Sequence, residues 1–489
     1  MSILVVDVGT SGVRGAVVRP DASVTHIHHV PVLPDSPFPG LVEFDGTAVA
    51  AAVLEVANRS LAEGGPVAAV GIADQRASTL VWDRNTGEPV GPGLGWQDLR
   101  TVGTCLELQA QGIRVAPNAS ATKLAAILDQ FDPDRARSER GELAFGTIDT
   151  WVAWILSEGS LHVTDASNAG VTGLLHGDGV GWSSQLLAAL RIPEQLLPTI
   201  VDSSGIVGAA RALDGAPPIA GMAGDQQASL IGQSCTLPGQ AKATFGTGGM
   251  LDQCLGVTRP PQAVRGPAGT IPIIAWRRAG TVTWGIEAIM LSAGTCVEWL
   301  RDDLGIIADA AASADVAAQC DDTGDVWFVP ALLGLGTPVW DFGARGTFTG
   351  LTRGSGRPEL VRAVLEGVAH RGADLLESAE IDSGLPIATL RVDGGMTANT
   401  VFTQALADAC GRPIEVSPVL EATTLGAAFL AGMAVGTWAD EQDVAAAWTP
   451  RTLVEPARTT TEHRAARERW RDARSRAEGA IPELSGLDF

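Results

Sequence analysis

Two short loops of glycine and threonine are the most chemically informative segments of the chain. Each follows a strand-like apolar run: the letters GTSG stand at residues 9–12 and GTGG at residues 246–249, about half a chain apart. Glycine lets the backbone approach a ligand closely, and successive N–H groups together with a threonine hydroxyl form a concave anion site. The pair therefore predicts two walls that close on one polyphosphate, as a phosphoryl-transfer enzyme requires.

Asp7 ends the first apolar run, directly before the first loop, and Arg14 follows that loop. A carboxylate in this place can hold a hydrated Mg²⁺ beside the terminal phosphates of a nucleotide. The alternative is that Asp7 only caps the turn. The order of acid, glycine and threonine favours the metal role, and Arg14 is placed to neutralise phosphate charge.

Asp225 lies in an apolar stretch and follows Gly224. Burying a carboxylate there is costly unless the group has a function, and a kinase needs one carboxylate to orient a hydroxyl and accept its proton. The alternative is that Asp225 is the N-cap of a helix over residues 226–232. The residues alone leave both possibilities open.

Alternating and helical apolar patterns predict the elements that position these residues. In the first half they predict strands at residues 3–8, 15–18, 26–32, 67–72 and 78–82 and helices near 121–130 and 147–156. In the second half they predict strands at 241–245, 282–286 and 389–392, an amphipathic helix after Pro358 and a further helix after Gly395. The basic and acidic segment 458–476 is expected to be a solvated helix. The mixture predicts an α/β protein.

Length and composition limit the class of protein. A chain of 489 residues exceeds the size at which one core keeps growing, so two domains of roughly 200–250 residues are expected. The formal charge of −22 argues against nucleic acid or an anionic membrane as a partner. The apolar runs are too short to span a bilayer and no signal-peptide pattern precedes the first strand, so a cytoplasmic location is expected.

Taken together, the motifs resemble those of the FGGY carbohydrate kinases, and within them the glycerol kinases most closely. The matching stretches run nearly end to end and are Asp7-Val8-Gly9-Thr10-Ser11, Asp74-Gln75-Arg76, Gly95-Trp96-Gln97-Asp98, Phe145 to Trp151, Ala223 to Gln227, Phe245-Gly246-Thr247-Gly248, Ala344-Arg345-Gly346 and Arg391 to Gly395. The resemblance implies two actin/hexokinase-like (ribonuclease-H-like) domains, residues 1–235 and 236–489, with ATP and Mg²⁺ in the cleft between them. It also implies a homodimer or homotetramer as a possible assembly.

The resemblance also implies roles for individual residues. Asp225 would be the general base, and Asp7 would hold the metal. The acceptor would contact Arg76, Ala77, Trp96, Asn118, Asp225 and Gln226. The phosphates would lie against Thr10, Ser11, Gly12, Arg14 and Thr247, and the adenosine against Gly294, Glu298, Gly395 and Asn399.

Three positions of the acceptor pocket depart from the glycerol kinases. Where that family has a glutamate, a tyrosine and a phenylalanine, this chain has Ala77, Asn118 and Met250, and it contains no tyrosine at all. Loss of these groups implies a wider and less demanding pocket. The expected acceptor is therefore a small polyol or sugar with a primary hydroxyl, either glycerol or a C4–C5 polyol or ketose.

A different class of function remains open, namely a non-catalytic nucleotide-binding sugar sensor built on the same fold. The chain nevertheless retains Asp7, Thr10, Arg14, Asp225 and Thr247, the residues that transfer would need. Their presence favours an enzyme.

Overall fold

A 13-stranded sheet runs through both halves of the chain in the computed structural model, which describes residues 1–177, 179–262, 264–419 and 421–487. The strands of the first half are β1 Ile3–Gly9, β2 Gly12–Val18, β3 Val24–Pro31, β4 Glu43–Phe44, β5 Ala69–Asp74, β6 Leu80–Asp83, β7 Gly93–Leu94, β8 Leu143–Gly146, β9 Val163–Asp165, β10 Thr199–Val201, β11 Ser204–Ala209 and β12 Pro218–Gly224. Its helices are α1 Gly46–Gly64, α2 Val102–Ala110, α3 Ser120–Phe131, α4 Ala136–Glu139, α5 Ile148–Leu156, α6 Ala166–Val171, α7 Ser184–Ala189 and α8 Asp225–Gly232.

The second half begins again with a strand. Its strands are β13 Ala241–Phe245, β14 Gly249–Gly256, β15 Ile271–Arg278, β16 Thr281–Met290, β17 Trp327–Val329, β18 Thr347–Thr349, β19 Leu390–Asp393, β20 Ile414–Val416 and β21 Thr452–Val454. Its helices are α9 Gly294–Asp302, α10 Ala312–Ala317, α11 Arg357–Ser383, α12 Thr400–Cys410, α13 Ala422–Val435, α14 Glu441–Ala446, α15 Thr460–Ser475 and α16 Pro482–Ser485. The strands and helices expected from the sequence are all present, with shifts of a few residues at their ends.

The same strand arrangement occurs twice in the sheet. In the first half, β1, β2 and β3 form an antiparallel meander, and β5 and β12 extend it in parallel beyond β1. In the second half, β13, β14 and β16 form the meander, and β19 and β20 extend it in parallel beyond β13. Each Gly-Thr loop is the turn of the first hairpin of its half. The repeat explains why the two loops have similar sequences.

Strand β1 is apolar almost throughout because both of its faces are covered. Leu4, Val6 and Val8 pack in one cluster with α1, whereas Ile3 and Val5 belong to a second cluster that contains residues of α13. A strand covered on both faces must be apolar at nearly every position. Asp7 is the exception, and it lies at the carboxyl end of the strand.

Helix α13 belongs to the second half of the chain but packs on β1, β5 and β12 of the first half, and it crosses α8. The crossing leaves no room for side chains: a Cβ added to Gly426 would lie 1.7 Å from the carbonyl oxygen of Ala228, and one added to Gly232 would lie 1.9 Å from that of Ala422. Close backbone packing of two helices therefore joins the two halves. None of the described helices is long and apolar enough to cross a membrane.

Candidate active site

Three parallel strands of the first half end side by side and place the predicted residues at one edge of the sheet. Val8 of β1 pairs with Asp74 of β5, and Asp74 pairs with Gly224 of β12. The segments that follow these strands carry Thr10, Arg76 and Asp225. Ligands of open α/β sheets bind beyond the carboxyl ends of the strands, so this edge is where a substrate would be held.

Asp7 is nearly buried at this edge and contacts two groups. Its Oδ2 atom lies 3.6 Å from Nη1 of Arg14 and 3.5 Å from the hydroxyl of Thr424, at the start of α13. Burial raises the pKa of Asp7 to about 7, although the charge of Arg14 lowers it; Asp225 and Glu421 raise it further. The charges of Asp225 and Glu421 therefore act on Asp7, and a cation would relieve this repulsion.

Arg14 is partly exposed and forms an ion pair with Glu421, which directly precedes α13. Arg14 also faces Asp7 across the first hairpin, because the two residues are paired in the register of β1 and β2. A phosphate bound here would share the guanidinium with Glu421 or displace that carboxylate.

Asp225 is the first residue of α8, and its N-cap is Gly224. The alternative prediction, that Asp225 caps this helix, is therefore wrong. Its Oδ1 atom accepts a hydrogen bond from the N–H of Gln226 at 2.7 Å and lies 3.3 Å from Nε of Arg76. The side chain is 35% exposed, so a ligand can reach it. Burial raises the pKa of Asp225, while the charges of Arg76 and Lys242 lower it.

Arg76 divides its guanidinium between the two halves of the chain. Nε faces Asp225, Nη2 lies 2.7 Å from Oε2 of Glu287 on β16, and Nη1 is buried without a hydrogen-bond partner among the described residues. An unpaired buried donor is costly, so Nη1 is suited to a substrate hydroxyl. Arg76 and Asp225 thus form a polar pair, with the N–H groups of Nη1 left for a ligand.

Trp96 joins the predicted acceptor pocket to the first phosphate loop. Its indole Nε1 donates to the hydroxyl of Thr10 at 3.2 Å, and its backbone N–H donates to the hydroxyl of Ser78 at 3.1 Å. The buried Lys123 donates to the backbone carbonyls of Trp96 and Pro117 at 3.4 and 2.8 Å. Lys123 therefore holds the backbone of Trp96 next to the segment that carries Asn118.

Ala77 and Asn118 differ in exposure. Ala77 is 4% exposed and has a φ of 63°, in the left-handed region. Its carbonyl oxygen accepts a hydrogen bond from the hydroxyl of Ser120 at 3.0 Å, which joins the segment after Arg76 to the start of α3. Asn118 is exposed just before that helix. The side chain of Ala77 offers no polar group to an acceptor.

The other residues of the first loop lie at the turn of the hairpin. Ser11 is exposed, and its carbonyl oxygen accepts a hydrogen bond from the N–H of Val32 at 3.2 Å. A Cβ added to Gly12 would lie 2.4 Å from Nε2 of His29 and 2.8 Å from the carbonyl oxygen of Val30. Glycine is therefore needed at position 12 for the close approach of β3.

The second loop is supported by the start of α9. Thr247 is exposed, and its carbonyl oxygen accepts hydrogen bonds from the N–H groups of Ala293 and Thr295 at 2.9 and 3.2 Å. The N–H of Gly294 donates to the carbonyl oxygen of Gly246 at 2.8 Å, and a Cβ at position 294 would lie 2.6 Å from that oxygen. The structure therefore brings Gly294 against the Thr247 loop, as a shared nucleotide site requires.

The three remaining adenosine candidates have different environments. Glu298 is exposed on α9, and Gly395 is exposed with open space where a Cβ would stand. Asn399 is engaged within the fold: its Oδ1 atom accepts from the N–H of Phe402 at 3.1 Å, and its Nδ2 atom donates to the hydroxyl of Ser313 at 3.0 Å. Asn399 is thus the N-cap of α12, a structural role that the sequence reasoning did not identify.

Sequence reasoning also missed several charged residues of the site. Lys242, Asp252 and Glu287 lie in strands of the second half, and Glu421 precedes α13. A signal was available, because the first three are charged residues inside otherwise largely apolar strands. Their partners, however, are far away in the sequence.

Comparison with known proteins gives a consistent result. The N-terminal domain model of the FGGY family of carbohydrate kinases matches residues 2–232, and the C-terminal domain model of that family matches residues 241–435. Among curated proteins, the glycerol kinase of Aromatoleum aromaticum is 41% identical over 98% of this chain and 99% of its own length. Glycerol kinase 2 of Thermotoga maritima is 40% identical over 98% of this chain and 99% of its own length.

Solved structures give the same picture. The crystal structure of Plasmodium falciparum glycerol kinase with ADP superposes with a TM-score of 0.90 at 27% identity, covering 97% of this chain and 98% of that one. Ligand-bound xylulose kinase from Lactobacillus acidophilus superposes with a TM-score of 0.86 at 21% identity, covering 99% of both chains. At that lower identity the second similarity concerns the fold.

Proposed function

Because the chain belongs to the FGGY family of carbohydrate kinases, we propose roles for its own residues in the transfer of a phosphoryl group. The chain is an ATP-dependent kinase of a polyol or sugar, with the two-domain FGGY kinase fold built on a large mixed sheet. The observation that carries the assignment of residues is the pair of Arg76 and Asp225, 3.3 Å apart where β5 and β12 end beside Asp7.

Asp225 is the proposed general base. Its ionised carboxylate accepts the proton of a primary hydroxyl while the hydroxyl oxygen bonds to the γ-phosphorus of ATP and the bond to the ADP oxygen breaks. Burial raises the pKa of Asp225 toward neutral pH. A general base works best there, because it is still ionised but has a higher affinity for the proton. The partial exposure of Asp225 leaves room for the acceptor.

The acceptor is proposed to lie between Arg76, Trp96, Asp225 and Gln226, near Ala77 and Asn118. Nη1 of Arg76 is the free donor for one of its hydroxyls. The names of the curated relatives favour glycerol. The side chains at positions 77 and 118 favour a longer acceptor, a C4–C5 polyol or ketose, because both are smaller than those of the glycerol kinases and Ala77 carries no hydrogen-bonding group.

The phosphates are proposed to bind between the two Gly-Thr loops, against Thr10, Ser11, Gly12, Arg14 and Thr247. Asp7 is the proposed ligand of Mg²⁺, and its raised pKa beside other carboxylates fits a site that gains from a cation. Bound Mg²⁺ would supply neutralisation of phosphate charge. The adenosine is proposed to lie near Gly294, Glu298, Gly395 and Asn399.

We also propose that the two domains comprise residues 1–235 and 236–489. The strand arrangement that begins again at β13 supports this division, although α13 packs on the sheet of the first half. A cytoplasmic location and assembly as a homodimer or homotetramer remain predictions. Size-exclusion chromatography with light scattering would test the assembly.

The test is ATP turnover with a panel of acceptors of three to five carbons. We expect ADP release that depends on glycerol, or on a C4–C5 polyol or ketose. The substitution Asp225→Asn is expected to lower kcat by roughly 10²–10⁴-fold, because it removes the base, and to leave ATP affinity within about twofold. Asp214→Asn, at an exposed position of the same half, is the matched control and should behave as the wild type.

Two outcomes would contradict the proposal. If Asp225→Asn keeps wild-type turnover, Asp225 is not the base. If the wild-type protein binds ATP and an acceptor but releases no ADP with any member of the panel, the sugar sensor becomes the better description.

A further inference from the structure

Three charged side chains stand in one line across the second half of the sheet. Lys242 on β13 is paired with Asp252 on β14, and Asp252 is paired with Glu287 on β16. Directly opposite residues of antiparallel strands point to the same face of a sheet. We call Lys242, Asp252 and Glu287 the charged row. Lys242 and Asp252 are 0% exposed, and Glu287 is 5% exposed.

Both ends of the charged row contact residues of the first half of the chain. At one end, Nζ of Lys242 donates to Oε1 of Gln226 at 2.5 Å, and it also forms an ion pair with Asp252 at 2.8 Å. At the other end, Oε2 of Glu287 lies 2.7 Å from Nη2 of Arg76. The row therefore reaches two residues proposed to bind the acceptor, Arg76 and Gln226.

The charges of the row do not cancel within the second half. Lysine contributes +1 and the two carboxylates contribute −2, so the ionised row carries −1 until Arg76 supplies the balancing charge. Like charges directly opposite each other in a sheet are destabilising, and buried charges without a partner are costly. Within the second half Lys242 pairs with Asp252 and donates to the hydroxyl of Thr244 at 3.0 Å. Glu287 forms no ion pair there among the described residues, and its cationic partner is Arg76 of the first half.

We propose that the charged row positions the two residues that bind the acceptor. Glu287 holds Arg76, and Lys242 holds Gln226, when the two halves are together. The inference rests on the proposed function, because it assumes that Arg76 and Gln226 bind the acceptor. Glu287 and Lys242 are positioning residues, since they act through their partners. A guanidinium that is held from both sides presents its free Nη1 atom in one direction.

The test is Glu287→Gln in the full-length protein, with steady-state kinetics for the acceptor and equilibrium binding of ATP. The substitution keeps the size of the side chain but removes its charge. We expect kcat/KM for the acceptor to fall up to about 10²-fold, because a small misplacement of a binding group has effects of that size. The ATP dissociation constant should stay within about twofold.

Glu415→Gln is the matched control. Glu415 is also a strand glutamate of the second half in an ion pair with an arginine, since its Oε2 atom lies 3.0 Å from Nε of Arg391. Among the described residues it forms no ion pair with Arg76 and no hydrogen bond with Gln226. The control should leave kcat/KM for the acceptor unchanged.

A double-mutant cycle separates positioning from a general loss of structure. If Glu287 acts through Arg76, then Glu287→Gln should cause no further loss of kcat/KM in the background of Arg76→Met. An equal loss in both backgrounds would overturn the inference. So would a kcat/KM of the Glu287→Gln variant equal to that of the wild type.

If Glu287→Gln does not fold, the double variant Lys242→Met with Asp252→Leu tests the contact between the charged row and Gln226. An unchanged KM for the acceptor would overturn the inference, and an increased KM would support it.

Failure of the inference is distinguishable from failure of the proposed function. If Asp225→Asn is inactive and Glu287→Gln behaves as the wild type, the inference alone is wrong. If Asp225→Asn stays active, the proposed roles of the site are wrong, and the inference falls with them.

Discussion

The two Gly-Thr hairpins have the same topology but bury different side chains. In the first hairpin, Leu4 is paired with Val17, and Val5 with Ala16. In the second, Lys242 is paired with Asp252, next to the apolar pair of Ala243 and Leu251. The first hairpin is covered by the apolar clusters of α1 and α13. The second presents Lys242 to Gln226 of the first half, and the neighbouring strand β16 presents Glu287 to Arg76. The first hairpin thus carries its charged pair, Asp7 and Arg14, next to its loop, whereas the second carries Lys242 and Asp252 away from its loop, where Lys242 contacts Gln226.

Buried charges make the second half less stable than apolar residues at the same positions would. A continuous apolar strand is the least costly way to fill a covered sheet, and β1 follows this solution up to Asp7. The second half departs from it at Lys242 of β13, which meets Gln226, and at Glu287 of β16, which meets Arg76. Three predictions test this difference, and they follow from the largest expected effect to the smallest.

Removing the lysine of the charged row should have the largest effect on stability. We expect Lys242→Met to lower the free energy of unfolding by about 3–5 kcal/mol, because Asp252 is then left buried without its ion-pair partner. Urea denaturation at neutral pH measures the change. The double substitution Lys242→Met with Asp252→Leu should recover most of the loss. A single variant as stable as the wild type would show that the buried pair has no such role.

An apolar truncation in the first hairpin should cost somewhat less and leave recognition of the acceptor intact. Leu4 is fully buried, so Leu4→Ala is expected to lower the free energy of unfolding by about 2–4 kcal/mol. The KM for the acceptor should not change, because Leu4 packs among apolar residues below the site. A large rise of that KM in a folded variant would remove the distinction between the two hairpins.

Asp7 should produce the smallest effect, and one that depends on pH. Its pKa is raised from 3.8 to about 7 in the folded protein, so the folded state binds more protons between these values and its stability falls as the pH rises through them. Asp7→Asn removes this penalty. The rise of the pKa of Asp7 from 3.8 to about 7 corresponds to at most about 4 kcal/mol at pH 8. Solvent at this edge of the sheet screens the charge and lowers that value, so without nucleotide and metal the variant should be more stable than the wild type at pH 8 by about 1–2 kcal/mol.

Denaturation at pH 8, 6 and 4 measures this dependence, and the difference between the two proteins should shrink toward pH 4. The same variant should lose kinase activity if Asp7 holds the metal. A constant difference in stability at all three pH values would contradict the pKa of Asp7.

Local patterns in the sequence predicted the strands and helices well. Alternation and apolar runs located β1, β13 and β19, and glycine after a strand located both loops. The segment 458–476 is a helix as expected, but one of its faces is not solvated: Arg467 and Trp470 are buried, and both bind Asp374 of α11. The pattern of basic and acidic residues identified the helix, whereas the residue that it packs on, Asp374, lies about 95 residues earlier.

The sequence by itself determined the strand and helix segments, the two glycine loops and the carboxylates at positions 7 and 225, because these follow from residue type and local spacing. Only the tertiary structure decided that Glu287 meets Arg76, that Lys242 meets Gln226 and that α13 crosses onto the sheet of the first half. The physical reason is that a buried charge is stable only beside its partner. That partner is set by strand register and helix packing between segments that are remote in the chain.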